Sequence, residues 1–235
     1  MGACEGYAFW DDSIKTTITK VVFADEGFIP NKAKKVWDCS IIAGANVAKA
    51  YLCDEGKDKV LYIASTDGQL SAPASMSGFF DGFTALKSVD FSGIDTSSTY
   101  NVKKLFYNCK SLESIEWGDD AFSSSQNWSQ AFSVCKSLTD FDMTEVDMSS
   151  TTNINLMFSL CDNLEQLTLP YLDEEILNEC VNVFYKCGSN SDNLTIRVDR
   201  DNSMFVSELV ENSTAVNSSY SLAHTTSTDR APVLR

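Results

Sequence analysis

The stretch Leu105-Phe106-Tyr107-Asn108-Cys109-Lys110-Ser111-Leu112 belongs to a pattern that runs through the middle of the chain. Its phenylalanine recurs at every twenty-sixth position without an insertion, at Phe80, Phe106, Phe132, Phe158 and Phe184. Three residues later stand Phe83, Cys109, Cys135, Cys161 and Cys187, and three further on stand Leu86, Leu112, Leu138 and Leu164. Chance does not keep five aromatic residues in phase from position 80 to position 184, so the pattern indicates an internal repeat.

Each copy of the repeat combines two kinds of local pattern. Two-residue alternation, as in Ile115 and Trp117, places both side chains on one face of a short strand. Upstream, the spacing of Leu105, Phe106 and Cys109 predicts a short helix or 3₁₀ turn. Because one strand and one turn cannot enclose a core, the copies must stack on one another. The sequence therefore predicts an α/β repeat fold, a leucine-rich-repeat solenoid with a parallel sheet.

The repeat divides the chain into three parts. Residues 1–75 do not repeat and are expected to form a small β-rich N-terminal cap module that covers the first open edge of the solenoid. Residues 76–200 hold about five repeats, and residues 201–235 form a C-terminal cap and polar tail.

Local patterns at the two ends predict further elements. In the cap module, residues 14–23 read as a strand, and residues 47–53 and 59–64 flank Asp54-Glu55-Gly56 as a hairpin. Near the C-terminus, residues 201–210 predict a final short helix. Residues 212–235, which are rich in Ser, Thr and Asn, predict a loose tail or a segment that docks on a partner.

The repeat also places polar residues in phase on its strands. The side chains that alternate with the buried strand positions point away from the core and would line the concave face, which is the usual ligand surface of solenoids. This candidate ligand face consists of Ser88, Asp90, Ser114, Glu116, Asp140, Asp142, Gln166 and Thr168. Its carboxylates could serve a basic partner or a cation; a simple solvated sheet face is the competing interpretation.

Two stretches resemble the BspA-like leucine-rich-repeat surface proteins of bacteria and protists. They are Leu105 to Leu112, quoted above, and Met157-Phe158-Ser159-Leu160-Cys161-Asp162-Asn163-Leu164, and Asp95-Thr96-Ser97 is similar to connectors of that group. The resemblance covers about residues 76–200. It implies a leucine-rich-repeat fold, a cell-surface or extracellular location, and adhesion or binding to host proteins.

Composition and charge exclude several function classes. The formal net charge of −15 disfavours nucleic acid and anionic membrane surfaces as partners. No apolar run is long enough for membrane insertion. The single histidine, His224, lies in the predicted polar tail, and no phosphate-binding loop or nucleotide fingerprint occurs. The sequence therefore predicts neither an enzyme nor a cofactor or metal site, and the repeated cysteines are expected to be reduced core thiols.

Two functions remain open at this point. The first is a non-catalytic recognition or adhesion module that binds a protein or glycan through the concave face. The alternative is a structural or decorating component of a larger assembly such as a phage virion. In that case the solenoid ends or the C-terminal tail would contact an assembly partner or a second copy of the chain.

Overall fold

The computed structural model describes residues 12–39, 48–173, 180–192, 194–198, 203–211, 213 and 220–224. The fold is mixed α/β, with mostly strands and few helices. The strands are β1 Lys20–Ala24, β2 Ala33–Asp38, β3 Ala48–Glu55, β4 Asp58–Ser65, β5 Leu70–Ser71, β6 Ser88–Asp90, β7 Ile94–Asp95, β8 Ser114–Glu116, β9 Asp140–Asp142, β10 Gln166–Thr168, β11 Leu194–Val198 and β12 Tyr220–His224. The helices in the described part are α1 Asp12–Lys15 and α2 Ser203–Glu211. Neither helix is long and apolar enough to cross a membrane.

Successive copies of the repeat stack so that equivalent residues are neighbours. We number the copies 1 to 5 by their phenylalanines, from Phe80 to Phe184. Strand β6 of copy 1 pairs in parallel with β8 of copy 2, and β9 of copy 3 pairs in parallel with β10 of copy 4. In both pairs the partners are one full period apart in sequence, as in Val89 with Ile115 and Phe141 with Leu167. The period read from the sequence is therefore the stacking period of the structure.

The segment between Phe106 and Cys109 forms reverse turns, and the prediction of a short helix or 3₁₀ turn there was wrong. The N–H group of Cys109 bonds back to the carbonyl of Phe106, at 3.1 Å. By contrast, the N–H groups of Phe106 and Asn108 donate to the next copy, to the carbonyls of Ala131 at 2.8 Å and Ser133 at 2.9 Å. Alternate amides thus join neighbouring copies. A helix would have used the same groups within one copy.

A ladder of stacked phenylalanine rings fills the centre of the repeat. The centroids of adjacent rings are 5.3 Å apart for Phe80 and Phe106, 5.6 Å for Phe106 and Phe132, 5.4 Å for Phe132 and Phe158, and 6.0 Å for Phe158 and Phe184. All five rings are fully buried. The predicted ladder of phenylalanines is confirmed.

Buried hydroxyl side chains also donate hydrogen bonds from one copy to the one before it. The hydroxyl of Thr99 donates to the carbonyl of Pro73, that of Ser125 to Thr99, and that of Thr151 to Ser125, each 26 residues back. Each hydroxyl thus satisfies a backbone carbonyl one period earlier in the chain.

The N-terminal module is built into the same sheet as the first two copies. The strand order is β2-β3-β4-β1-β6-β8, and β1 pairs in parallel with both β4 and β6. The predicted hairpin is confirmed as the antiparallel pair β3 and β4. The predicted strand over residues 14–23 starts later, at Lys20, because helix α1 occupies Asp12–Lys15. By pairing with β6, strand β1 covers the outer edge of the first copy.

The C-terminal segment adds a further strand. Strand β12 pairs in parallel with β11, and Leu194 faces Tyr220, again one full period apart. The predicted final helix over residues 201–210 is present as α2, where Val206, Leu209 and Val210 are buried. Part of the predicted loose tail therefore extends the sheet, and residues 214–219 and 225–235 lie outside the described part.

The strands of the repeat do not form one continuous sheet. Strand β8 ends the six-stranded mixed sheet, and β9 begins a separate sheet of order β12-β11-β10-β9. The core is continuous across this break, since Trp117 of copy 2 and Phe141 of copy 3 have ring centroids 6.4 Å apart. The single parallel sheet expected from the sequence is thus replaced by two sheets.

Candidate functional site

The eight residues of the candidate ligand face lie at the ends of the four short repeat strands. Each strand has three residues, and its middle residue points into the core: Val89, Phe141 and Leu167 are buried, and Ile115 is half-buried. The flanking residues are exposed on β8 and β9 and half-buried on β6 and β10. All eight residues are therefore at least partly accessible to solvent.

Strand pairing arranges the eight residues in two pairs of short rows. On the first sheet, Ser88 is opposite Ser114 and Asp90 is opposite Glu116. On the second sheet, Asp140 is opposite Gln166 and Asp142 is opposite Thr168. Directly opposite residues on neighbouring strands are close enough to contact one ligand group together.

The break between β8 and β9 corrects one expectation about this face. The phase of the repeat places Asp90, Glu116 and Asp142 on neighbouring strands of one sheet, but only Asp90 and Glu116 are paired. At the break, the indole N–H of Trp117 donates to the backbone carbonyl of Asp142, at 3.3 Å. A side chain thus makes a bond between the two sheets at the position where strand pairing stops.

Two of the carboxylates have a structural task. The Oδ1 atom of Asp90 accepts the backbone N–H of Ser92 at 3.0 Å, and that of Asp142 accepts the backbone N–H of Thr144 at 2.8 Å. These bonds form the turns that follow β6 and β9.

The other two carboxylates of the face, those of Glu116 and Asp140, do not accept turn-forming hydrogen bonds of this kind. Glu116 and Asp140 are exposed, and the carboxylate of neither has a hydrogen bond or ion pair to another described residue. They are therefore the acidic groups of the face that are available to a ligand.

Sequence reasoning missed two cations that extend the rows. Lys20 pairs with Ser88, which places it at the outer end of the first sheet's row. Arg197 is opposite Thr168, and its Nη2 atom donates to Oε1 of Gln166 at 3.1 Å. Lys20 precedes the repeat and carries no periodic signal. Arg197 could have been found by aligning Ile196 and Val198 with Leu167 and Leu169 of copy 4 across the short insertion that precedes Leu194.

The face can make hydrogen bonds and ionic contacts through hydroxyl, amide and carboxylate groups. Within the described ranges, no three His, Cys, Asp or Glu side chains gather as metal ligands. The thiols of the repeat lie in the core, where burial raises the pKa of Cys135 and Cys187 well above the ordinary value and that of Cys161 to about 12. Such thiols stay protonated at neutral pH and are poor nucleophiles.

An asparagine ladder that the sequence analysis overlooked lies at another edge of the copies. The backbones of Asn101, Asn127 and Asn153 form successive parallel bridges. Each Oδ1 atom accepts an N–H two residues on, as in Asn127 with Ser129 at 3.0 Å. The asparagines recur once in each period, so their phase was the available signal.

Comparison of the chain with protein-family models, with curated proteins and with solved structures finds no match.

Proposed function

We propose that this chain is a leucine-rich-repeat solenoid of the BspA-like kind that acts as a non-catalytic recognition or adhesion module. It binds a protein or glycan through the face formed by the repeat strands, and it works at a cell surface or in the extracellular space. Two observations support this proposal: the repeat motifs resemble those of BspA-like proteins, and the copies stack with a constant period.

The observation that carries the proposal is the register of the strands. It holds polar side chains of several copies on one side of the core, each fixed by a buried neighbour such as Val89 or Phe141. Side chains held on rigid strands lose little conformational freedom on binding, so they contribute more of their contact energy to affinity. The six-stranded mixed sheet and the four-stranded sheet supply this rigidity.

Within the face, the two carboxylates without turn bonds make the sharpest test. We expect the double substitution Glu116→Gln and Asp140→Asn to remove charge-assisted contacts with a ligand. A hydrogen bond to a charged group contributes about 1.5–3 kcal/mol, so affinity should fall about tenfold or more. The substituted side chains keep nearly the same size, and the strands should remain intact.

A matched control is available in the connectors. Asp95 and Asp147 cap turns by accepting the N–H groups of Ser97 and Ser149, away from the strand face. The double substitution Asp95→Asn and Asp147→Asn changes the net charge by the same amount. An affinity loss in this control as large as in the face variant would mean that net charge, not the face, governs binding.

The experiment is an array of glycans and extracellular-matrix proteins, probed with wild type and both variants. Binding that the Glu116→Gln/Asp140→Asn variant loses and the control keeps would establish the face as the binding surface. If wild type bound nothing on the array, the recognition proposal would give way to the assembly-component alternative.

A further inference from the structure

The strand face of the repeat continues onto the N-terminal module. Directly opposite residues on neighbouring strands point to the same side of a sheet, so the register of the six-stranded sheet joins one residue of each strand into a row. From β2 to β8 this row is Val36, Tyr51, Tyr62, Val22, Asp90 and Glu116. The row is apolar on the N-terminal module and acidic on the first two copies.

The apolar half of the row is accessible to solvent. Val22 and Tyr62 are half-buried and pack on a small cluster that is separate from the main core. The ring of Phe28, which is 37% exposed, lies 4.8 Å from that of Tyr62. Its neighbour Ile29 is 68% exposed. Apolar side chains that gather at the surface in this way mark interaction sites.

A groove of about 340 Å³ lies beside Phe28. Its lining comes from the loop before β2 and from the end of β3, and consists of Phe28, Ile29, Pro30, Asn31, Lys32, Cys53, Asp54 and Glu55. Cys53 belongs to the same small cluster as Tyr51, so the groove opens on the side of the sheet that carries the row. It offers walls against which an apolar side chain of a ligand can be buried.

The acidic half of the row attracts a cation. The carboxylate of Glu116 is exposed and makes no hydrogen bond or ion pair to another described residue. Asp90, directly opposite Glu116, adds a second negative charge, although its Oδ1 atom also holds a turn. Lys20 stands in the neighbouring row, opposite Ser88. A guanidinium or ammonium group of a ligand therefore finds complementary charge at Glu116.

The distance between the two halves fits an extended peptide. Tyr62 on β4 and Glu116 on β8 are three strand spacings apart, which is about 14 Å. An extended chain rises by about 3.3 Å per residue and places alternate side chains on the same side. Two side chains four positions apart in a peptide therefore lie on one side of it, about 13 Å from each other.

We propose that the row from Tyr62 to Glu116 binds an extended segment of a partner protein. The segment carries a large apolar residue, which lies on Phe28 and Tyr62, and an arginine or lysine four positions away, which contacts Glu116. This binding mode rests on the proposed function, and it names a basic, partly apolar protein segment as the ligand of the face. A neutral glycan would leave the charge of Glu116 unused.

The test uses the full chain and a fluorescein-labelled nonapeptide, with fluorescence anisotropy as the readout. The peptide is polyserine with tryptophan at its third position and arginine at its seventh. One control peptide has glutamate in place of the arginine. The other has the arginine moved next to the tryptophan, where it points to the opposite side. We expect the first peptide to bind about tenfold more tightly than either control.

Variants of the chain locate the site. Phe28→Ser/Ile29→Ser and Glu116→Gln should each weaken binding of the first peptide by about tenfold. All three side chains are exposed, so the fold should remain intact. Two matched controls should bind as wild type does. They are Tyr100→Ser, which removes an exposed apolar side chain outside the row, and Asp140→Asn, which removes a carboxylate from the second sheet.

Several outcomes would overturn this binding mode. They are equal binding of the three peptides, no binding at millimolar concentration, and unchanged affinity in the Phe28→Ser/Ile29→Ser variant. Self-association of the chain that Glu116→Gln abolishes would also overturn it, because the occupant would then be a second copy. An array ligand that requires Glu116 and Asp140 but not Phe28 and Ile29 would overturn it while leaving the proposed function intact. Peptide binding as expected, without any array ligand, would support the site and remove the support for adhesion.

Discussion

The Sγ atom of Cys135 donates a hydrogen bond to the backbone carbonyl of Phe106, at 3.2 Å. The same bond joins Cys109 to Phe80 and Cys161 to Phe132, always 29 residues back. A cysteine in this phase thus satisfies a carbonyl of the preceding copy and packs as a small apolar side chain. Alanine at these positions would leave each carbonyl with only its backbone N–H donor.

The buried thiols predict a loss of stability in alkali. The ordinary pKa of a cysteine is 9.0, and burial raises that of Cys161 to about 12 and also raises those of Cys109, Cys135 and Cys187. The folded pKa lies above the unfolded one, so this contribution is complete below pH 9 and is lost as pH rises from 9 toward 12. Each thiol should lower the free energy of unfolding by about 1.4 kcal/mol per pH unit in that window. Urea titrations at pH 7, 9, 10 and 11 would measure the slope.

Other groups also titrate in alkali, so the decisive comparison is with a thiol variant. Cys161→Ala is less stable than wild type at pH 7 because it lacks the bond to Phe132. Its free energy of unfolding should nevertheless fall less steeply between pH 9 and 11. The difference in slope should equal the contribution of one thiol, about 1.4 kcal/mol per pH unit. Identical slopes in the two proteins would show that Cys161 does not ionise on unfolding.

Phe132 is the centre of the aromatic ladder, and its truncation should be costly. Its ring contacts Phe106 and Phe158 above and below, and it lies 5.0 Å from the ring of Phe141. Phe132→Ala would leave a cavity that neighbouring copies cannot close, which costs about 3–5 kcal/mol. Chemical denaturation measures this loss, and a value below about 1 kcal/mol would contradict the ladder. Phe132→Leu, which keeps most of the volume, should cost clearly less.

The stacking period could be predicted from the sequence because the residues that recur every 26 positions are buried side chains, whose spacing the core keeps constant. Phe80 and Phe184 keep their spacing since an inserted residue anywhere between them would remove a side chain from the core. The same logic predicted the solvent-facing positions of Asp90 and Glu116. Both predictions depend only on which side of the chain a residue occupies.

The turns and the sheet break could not be read from the same pattern. Apolar residues three apart, such as Phe106 and Cys109, suit a helical turn and a reverse turn equally. The choice depends on whether the amides bond within a copy or to the next one. The break after β8 leaves the phase of Glu116 and Asp142 unchanged, so periodicity carries no sign of it. A single sequence reports spacing, and backbone pairing between copies is a tertiary property.

The run of turns requires left-handed backbone at two positions in each copy. They are Gly78 and Gly82, Lys104 and Asn108, Gln130 and Val134, Leu156 and Leu160, and Asn182 and Lys186. Val134 has φ 67° and is β-branched, the type of residue that tolerates this region least.

Val134→Asn should therefore stabilise the protein by about 0.5–1 kcal/mol, since asparagine adopts left-handed backbone more readily. The reciprocal change Asn108→Val, at the equivalent position of copy 2, should destabilise by a similar amount. Thermal and urea unfolding of both variants would check the pair. A gain in stability from Asn108→Val would refute the argument from backbone strain.

The contact of Gly93 with strand β1 makes the N-terminal module dependent on the first copy. A Cβ atom at Gly93 would overlap the backbone oxygen of Phe23, and backbone cannot move aside as a flexible side chain can. The ring of Phe23 stacks on that of Phe91 at 5.3 Å, so any shift that relieves the clash also disturbs the core. Gly93→Ala should therefore lower the free energy of unfolding by about 1–3 kcal/mol, the cost of overpacking. Ser98→Ala, in the same connector but exposed, is the control and should change stability by less than about 0.5 kcal/mol. If Gly93→Ala changed the free energy of unfolding as little as this control does, the close contact between Gly93 and the backbone of β1 would be absent. The N-terminal module would then unfold independently of copy 1.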